Sequence, residues 1–170
     1  MDHFARLGLP AALDLEPATL DRAYFTLQRQ WHPDRFVARP PAERARASTE
    51  AAGLNDAYRT LKDPLSRAVY LGGLNGVDLP GDGKTIDDPD LLMEAMEARE
   101  ALHEAATPEA VDGLAAQARH DMQQGIAGLG TLFLRHDKVA IRKALLRLRY
   151  LDKFAEEARA RRTNLQRVKA

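Results

Sequence analysis

The sequence predicts an all-α protein built from an N-terminal helical hairpin and a C-terminal three-helix bundle. Apolar residues recur at intervals of three and four, which places them on one face of a helix. No segment shows the apolar–polar alternation of a strand with one buried face. Most prolines and glycines fall between the periodic segments, where they end helices and start loops.

The composition limits the classes of function. Among 170 residues, 25 basic and 25 acidic side chains cancel, so no net field draws the chain to nucleic acid or to a membrane. No cysteine is present, which excludes disulfides and thiolate metal sites. No apolar run reaches the length of about 20 residues that spans a bilayer. The start, Met1–Phe4, resembles neither a secretion signal nor a transit peptide. We therefore expect a cytoplasmic protein.

The first half predicts two long helices that face each other, flanked by two short ones. Helices are expected over about 2–7, 17–32 and 41–62, and the second ends at His32 because the residue before a proline avoids the α region. A short helix over 64–71 should end at Gly72-Gly73. The facing stripes consist of Leu20, Tyr24, Leu27 and Trp31 on one helix and Ala47, Ala51, Leu54, Tyr58 and Leu61 on the other.

A glycine-rich stretch without apolar periodicity follows the hairpin. From Gly72 to Asp88 the chain holds five glycines and one proline. This composition predicts a linker over 74–88 that separates a first domain, 1–73, from a second, 89–170.

The second domain predicts three amphipathic helices, over about 89–106, 108–135 and 138–167. Thr107 and Asp137 stand where N-caps of the last two helices would lie. Three long helices with short connections and apolar stripes favour a three-helix bundle.

The tripeptide His32-Pro33-Asp34 lies in the loop between the two long N-terminal helices. Pro33 fixes φ and removes a donor, which stiffens the turn. Asp34 offers acceptors suited to a partner arginine, and His32 can donate or accept a hydrogen bond at neutral pH. Taken alone, the tripeptide is readily explained as a turn that ends a helix, because proline and aspartate are common turn residues.

The pattern around this tripeptide resembles a J-domain, the module that stimulates ATP hydrolysis by DnaK-type chaperones. Residues 28–31 end a helix before it, Pro40-Pro41 follow it, and the next helix carries 54–61 before Asp63-Pro64. In the J-domain family, a basic patch beside this loop docks on an acidic surface of the ATPase. The resemblance implies that the chaperone-binding residues are His32, Pro33, Asp34, Arg22, Arg29 and Arg35. The alternative for the two helix arginines is a solvated helix face.

The second half narrows the family. Residues 91–100 and 145–153, together with the start 4–10, resemble HscB, the J-domain co-chaperone of bacterial iron–sulfur cluster assembly, and the resemblance spans nearly the whole chain. It implies that the chain is a co-chaperone and not an enzyme. In that family the co-chaperone stimulates the ATPase of a dedicated DnaK-like chaperone, HscA, and brings it the scaffold protein IscU. We expect a monomer without a cofactor.

A physical argument on the helix over 89–106 leads to the same surface. One apolar stripe, enough to bury one face of a bundle helix, consists of Leu91, Ala95, Ala98 and Leu102. Leu92, Met93 and Met96 form a second patch, and this surplus suggests a surface for another protein. The alternative is that all three residues belong to the core. By analogy with HscB, the scaffold-binding surface comprises Leu92, Met93, Met96, Glu97, Arg99, Glu100 and Tyr150.

Two other functions remain open from the sequence. The chain is also consistent with a J-protein adaptor for a different client. A nucleic-acid-binding protein would use the last segment, 138–170, which contains 11 basic and 3 acidic residues. The interleaved aromatic residues typical of such segments are lacking. The five histidines have no zinc-motif spacing, and no nucleophile elbow or phosphate-binding loop is present. We therefore expect no metal site, no catalytic residues, no nucleic acid and no membrane partner.

Overall fold

The computed structural model describes residues 1–81 and 86–168, in which seven α-helices and one 3₁₀ turn occur without a strand. The predicted all-α class is confirmed. The chain divides into two compact units, Met1–Leu71 and Gly72–Ala170. Positions 82–85 of the predicted linker and the last two positions of the predicted second domain lie outside the described residues.

The first unit is a helical hairpin with a short helix packed on it. It contains α1 (His3–Leu7), α2 (Pro17–Trp31), a 3₁₀ turn (Pro33–Phe36), α3 (Pro41–Lys62) and most of α4 (Pro64–Leu74). Helices α2 and α3 pack on each other, and α1 packs on both. Burial of their facing apolar side chains stabilises the hairpin. The buried residues of these three helices are Phe4, Leu7, Leu20, Ala47, Leu54, Ala57 and Leu61.

The end of α4 differs from the prediction. Gly72 and Gly73 do not end the helix, which continues to Leu74 before the chain turns at Asn75 and Gly76. Gly76 supplies the left-handed conformation that such a turn requires, with φ at 73°. Gly72 has a packing role instead, because a Cβ atom there would lie 2.7 Å from Cδ1 of Leu145.

The second unit is the predicted bundle, made of α5 (Pro89–Glu104), α6 (Pro108–Leu134) and α7 (Lys138–Val168). Thr107 and Asp137 accept hydrogen bonds from the backbone N–H groups of Ala110 and Ala140, which confirms both N-caps. Helices α6 and α7 form the main pair, and α5 packs on α7. The shared core contains Ala95, Leu102, Ala105, Val111, Ala115, Ala118, Tyr150, Leu151, Phe154 and Ala158.

The described residues between α4 and α5 form a loop that is fastened to α7. Val77 is buried. The Nε of Arg142 donates to the carbonyl of Asp78 at 3.0 Å, and Nη1 of Arg149 donates to the carbonyl of Pro80 at 2.8 Å. These bonds satisfy loop carbonyls that would otherwise depend on water.

Candidate functional site

The His-Pro-Asp turn is exposed between α2 and α3. His32 ends α2 in an extended conformation, and Pro33 and Asp34 open the 3₁₀ turn. The side chain of Asp34 is 85% exposed and that of His32 is 49% exposed. Their polar atoms are therefore open to a partner.

Short-range contacts hold the imidazole of His32 in this turn. Its Nδ1 accepts a hydrogen bond from the backbone N–H of Asp34 at 3.3 Å. An accepting Nδ1 belongs to the neutral tautomer, in which Nε2 carries the proton. The same Nδ1 lies 3.6 Å from Oδ2 of Asp34, so a protonated imidazole would meet a carboxylate. These contacts orient the ring within the turn.

Stacked aromatic rings on either side of the His-Pro-Asp turn support it. The rings of Trp31 and Phe36 are parallel within 4°, with centroids 6.0 Å apart, and the Arg46 guanidinium lies 5.3 Å from the Trp31 centroid. Nη1 of Arg35 also donates to the carbonyl of Arg29 at 3.0 Å. Sequence reasoning missed Phe36 and Arg46. A usable signal was the lone aromatic residue two positions after the Asp of the motif.

The three predicted arginines of the basic patch are all exposed. Among the described residues, no carboxylate lies within ion-pair distance of Arg22 or Arg29. Phe25 lies between them at helical spacing, and half of its surface is exposed. The prediction did not include Phe25, although its spacing of three and four from the two arginines already placed it on their face.

The predicted surface of α5 is partly apolar and exposed. Leu92, Met93 and Met96 are 36%, 60% and 59% exposed, whereas Leu91 and Ala95, on the face that packs into the bundle, are 2% and 1% exposed. Glu97 and Glu100 are also exposed. The alternative in which all three apolar residues belong to the core is therefore wrong.

Two predicted members of this surface, Arg99 and Tyr150, also contact other bundle residues. Nε and Nη2 of Arg99 donate to the two carboxylate oxygens of Glu157, each at 3.1 Å, and this hydrogen bonding raises the pKa of Arg99. Tyr150 is only 8% exposed and belongs to the bundle core with Phe154. Burial raises the pKa of its phenol. The client-contact role of Tyr150 stays a prediction, and in this structure its side chain packs mostly into the bundle.

A half-buried ion cluster joins the three bundle helices. Nε of Arg147 donates to Oε1 of Glu94 on α5 at 2.9 Å, and its Nη2 lies 3.2 Å from Oδ2 of Asp121 on α6. Hydrogen bonding to Glu94 and the charges of both carboxylates raise the pKa of Arg147. Sequence reasoning missed this cluster, because its members lie 26 and 53 positions from Arg147.

Within the ranges 1–81 and 86–168, no three or more His, Cys, Asp or Glu side chains are grouped so as to hold a metal ion. In the same ranges, no helix combines the length and the apolar character that a bilayer crossing requires.

The exposed His-Pro-Asp turn on a helical hairpin, beside a basic helix face, defines a co-chaperone of the J-domain type. Residues 87–159 match the family described as the HSCB C-terminal oligomerisation domain. The chain is 43% identical over 159 residues to a co-chaperone protein HscB homolog of Cupriavidus taiwanensis, covering 92% of this chain and 90% of that protein.

Solved structures agree with the sequence match. Chaperone HscB from Vibrio cholerae superposes with a TM-score of 0.84 at 31% identity, covering 97% of this chain and 99% of that one. Human co-chaperone protein HscB gives 0.86 at 28% identity, covering 94% and 81%. The chain belongs to the HscB family of co-chaperones, and the resemblance drawn from the sequence is confirmed.

Proposed function

We propose that this chain stimulates ATP hydrolysis by a DnaK-like chaperone of the HscA type and delivers to it an iron–sulfur scaffold protein of the IscU type. The first unit docks on the chaperone through the His-Pro-Asp turn and the basic patch of Arg22, Arg29 and Arg35. The exposed face of α5 binds the scaffold. This activity assists the maturation of iron–sulfur proteins in the bacterial cytoplasm.

The exposed and fixed His-Pro-Asp turn is the observation that carries this proposal. Its polar side chains are open to solvent although local contacts already orient them. A turn oriented in advance loses little conformational entropy when it binds. Beside it, Arg22 and Arg29 flank the half-exposed ring of Phe25. An aromatic side chain between two arginines is a composition typical of binding hot spots, and its charge suits an acidic partner surface.

The client side rests on the exposed face of α5. Leu92, Met93 and Met96 present apolar surface, which a partner can bury. Methionine side chains adapt to irregular partner shapes. Glu97 and Glu100 border this patch, so the matching part of the scaffold should carry basic side chains.

Both activities in one chain explain delivery. A scaffold bound to α5 reaches the chaperone together with the turn that triggers hydrolysis, so its effective concentration near the chaperone rises. Stimulation should then depend on the turn alone when no scaffold is present, and on both surfaces when it is.

Steady-state ATPase of a paired HscA, measured with and without IscU, tests the two surfaces separately. Wild type should stimulate in both conditions, and His32→Gln should leave the rate close to the unstimulated one. Exchanging Leu92, Met93 and Met96 for serine should preserve stimulation without scaffold and remove the additional effect of scaffold. Val139→Ser, which alters an even more exposed apolar residue on α7, is the control.

Two results would contradict the proposal. Full stimulation by His32→Gln would remove the role of the turn. Unchanged IscU binding by the triple serine variant would assign the α5 face to a different client.

A further inference from the structure

The apolar attachment of α5 to its bundle is narrow. Only Leu91, Ala95 and Leu102 are buried among the described side chains of this helix. One of these three is alanine, which contributes little apolar area. Met93 and Met96 are about 60% exposed and Leu92 is 36% exposed, so this patch is not part of the buried attachment.

Charged contacts with α7 accompany α5 along its length. Before the helix, Nη2 of Arg142 lies 2.6 Å from Oδ2 of Asp87. Near its end, Arg99 pairs with Glu157 at 3.1 Å. Past the last turn, Nη2 of Arg161 donates to the carbonyl of Ala105 at 3.1 Å. Partner numbers on the two helices rise together, so α5 runs parallel to α7.

Arg147 occupies the middle of this series and differs from the other contacts. It pairs with Glu94 on α5 at 2.8 Å and also with Asp121 on α6, whereas the other contacts join α7 to one neighbour. The three side chains are only about one-third exposed. Charge-assisted bonds from one guanidinium to two carboxylates are stronger and more directional than an exposed single pair.

Glu94 lies within the exposed apolar patch in sequence. It follows Met93 directly and precedes Met96 by two positions, so it belongs to the same helical turn. Fixing the carboxylate of Glu94 therefore fixes the rotation of the turn that carries the patch.

We propose that Arg147 is a positioning residue for the client: by holding Glu94 and Asp121 together, it sets the rotation of α5 and the direction in which Leu92, Met93 and Met96 are presented. The inference rests on the proposed scaffold-binding role of that face. Without the guanidinium, two carboxylates face each other without a shared cation and repel. The apolar attachment through Leu91, Ala95 and Leu102 then has to hold α5 against this repulsion.

Three variants of the full chain separate positioning from general stability. Arg147→Met keeps a long apolar stem and removes the charge. Arg147→Lys keeps the charge but replaces the planar fork by a single ammonium group. Arg162→Met is the matched control, because it breaks a 2.7 Å pair with Asp112 that joins α7 to α6 and does not involve α5.

Hydrogen exchange of each helix and binding of purified IscU are measured on all three. Arg147→Met should speed exchange in Pro89–Glu104 while α6 and α7 keep wild-type protection, and it should weaken IscU binding about fivefold, a usual size for coupling through packed positions. Arg147→Lys should recover part of both effects. Arg162→Met should resemble wild type, and chaperone stimulation without scaffold should stay unchanged in every variant.

Two results would overturn the inference: wild-type exchange of α5 in Arg147→Met, or equal loosening of all three helices, which indicates a general structural role. Loss of IscU binding with unchanged α5 exchange would also overturn it, because Arg147 would then contact the scaffold itself. Failure of wild type to bind IscU would overturn the proposed function instead. In that case the inference is tested by hydrogen exchange alone: faster exchange in α5 of Arg147→Met supports a positioning role, and wild-type exchange contradicts it.

Discussion

The turn at His32 and the exposed face of α5 are held in place by different means. Most contacts around the turn join residues two to six positions apart, such as the bonds from Asp34 to His32 and from Arg35 to Arg29, and the contact of Arg46 with Trp31 comes from the next helix. Contacts that hold α5 join residues more than fifty positions apart, such as Arg147 with Glu94 and Arg99 with Glu157. The turn therefore forms from local sequence, whereas the face of α5 exists only when the bundle is assembled.

The difference has a thermodynamic consequence. Local contacts close short loops at small entropic cost and form independently of distant packing. Long-range ion pairs depend on ionic strength and on the partner helix being in place. Perturbations of the bundle should thus change client binding and spare the turn.

Replacing Tyr150 should give the largest effect. Tyr150→Ala removes a core aromatic side chain and should lower the free energy of unfolding of the second unit by about 3 kcal/mol, as large-to-small core changes do. Met96→Ala, which alters an exposed residue, should change stability little. Denaturant unfolding combined with exchange of α7 amides measures both. Equal stability of Tyr150→Ala and wild type would contradict the core role of Tyr150.

Removing the aromatic support of the turn should have a smaller and local effect. Phe36→Ala loses a stacked pair that contributes about 1 kcal/mol. The concentration of co-chaperone for half-maximal ATPase stimulation should rise about fivefold, because a loss of about 1.4 kcal/mol would correspond to a tenfold rise. Exchange in α5 should not change. Val37→Ala, at the exposed neighbouring position, is the control. Faster exchange in α5 would show that the two regions are coupled.

Ionic strength should separate the two regions without mutation. Raising salt from about 0.01 M to about 1 M shortens the Debye length from about 30 Å to about 3 Å. Amides of α5 should then exchange a few-fold faster, since exposed pairs contribute up to about 1 kcal/mol each. Amides of α3 should keep their protection. Equal responses of the two helices would contradict the ionic attachment of α5.

The smallest effect concerns pH. The hydrogen bond from Arg142 lowers the pKa of Asp87, and the backbone N–H of Leu91 lowers the pKa of Asp88. A carboxyl whose folded pKa is depressed stabilises fully above its unfolded pKa, and this contribution is lost as pH falls through the folded pKa. The start of α5 should therefore loosen only below the ordinary aspartate range. Carboxyl NMR titration should show the pKa of Asp87 rising in Arg142→Gln; an unchanged value would remove Arg142 as the cause.

Most of the helices follow from the sequence because their signals are local. The caps Thr107 and Asp137, the prolines at helix starts and the buried stripe of Leu91, Ala95 and Leu102 all depend on residues within about three turns of one helix. The exposure of Leu92 was also predictable, because a second apolar stripe exceeds what one bundle face can bury.

The features that the sequence did not predict depend on contacts between residues far apart in the chain. Gly72 resembles a helix end, yet the approach of Leu145 gives it a packing role inside α4. The burial of Tyr150 could not be predicted from the sequence, because it depends on how α7 packs against the other two helices. The spacing of charged residues alone cannot identify Asp121 as a partner of Arg147, because that pairing depends on the register between two helices.

The position of α7 in the chain also affects biosynthesis. The partners that hold α5 by ion pairs all lie on α7, between positions 142 and 157, and Arg161 adds a bond to a backbone carbonyl. All of these residues leave the ribosome after α5. Domains form as units during synthesis, the N-terminal one first. A nascent chain therefore completes the His-Pro-Asp turn before α5 gains the α7 partners that hold its exposed face in place.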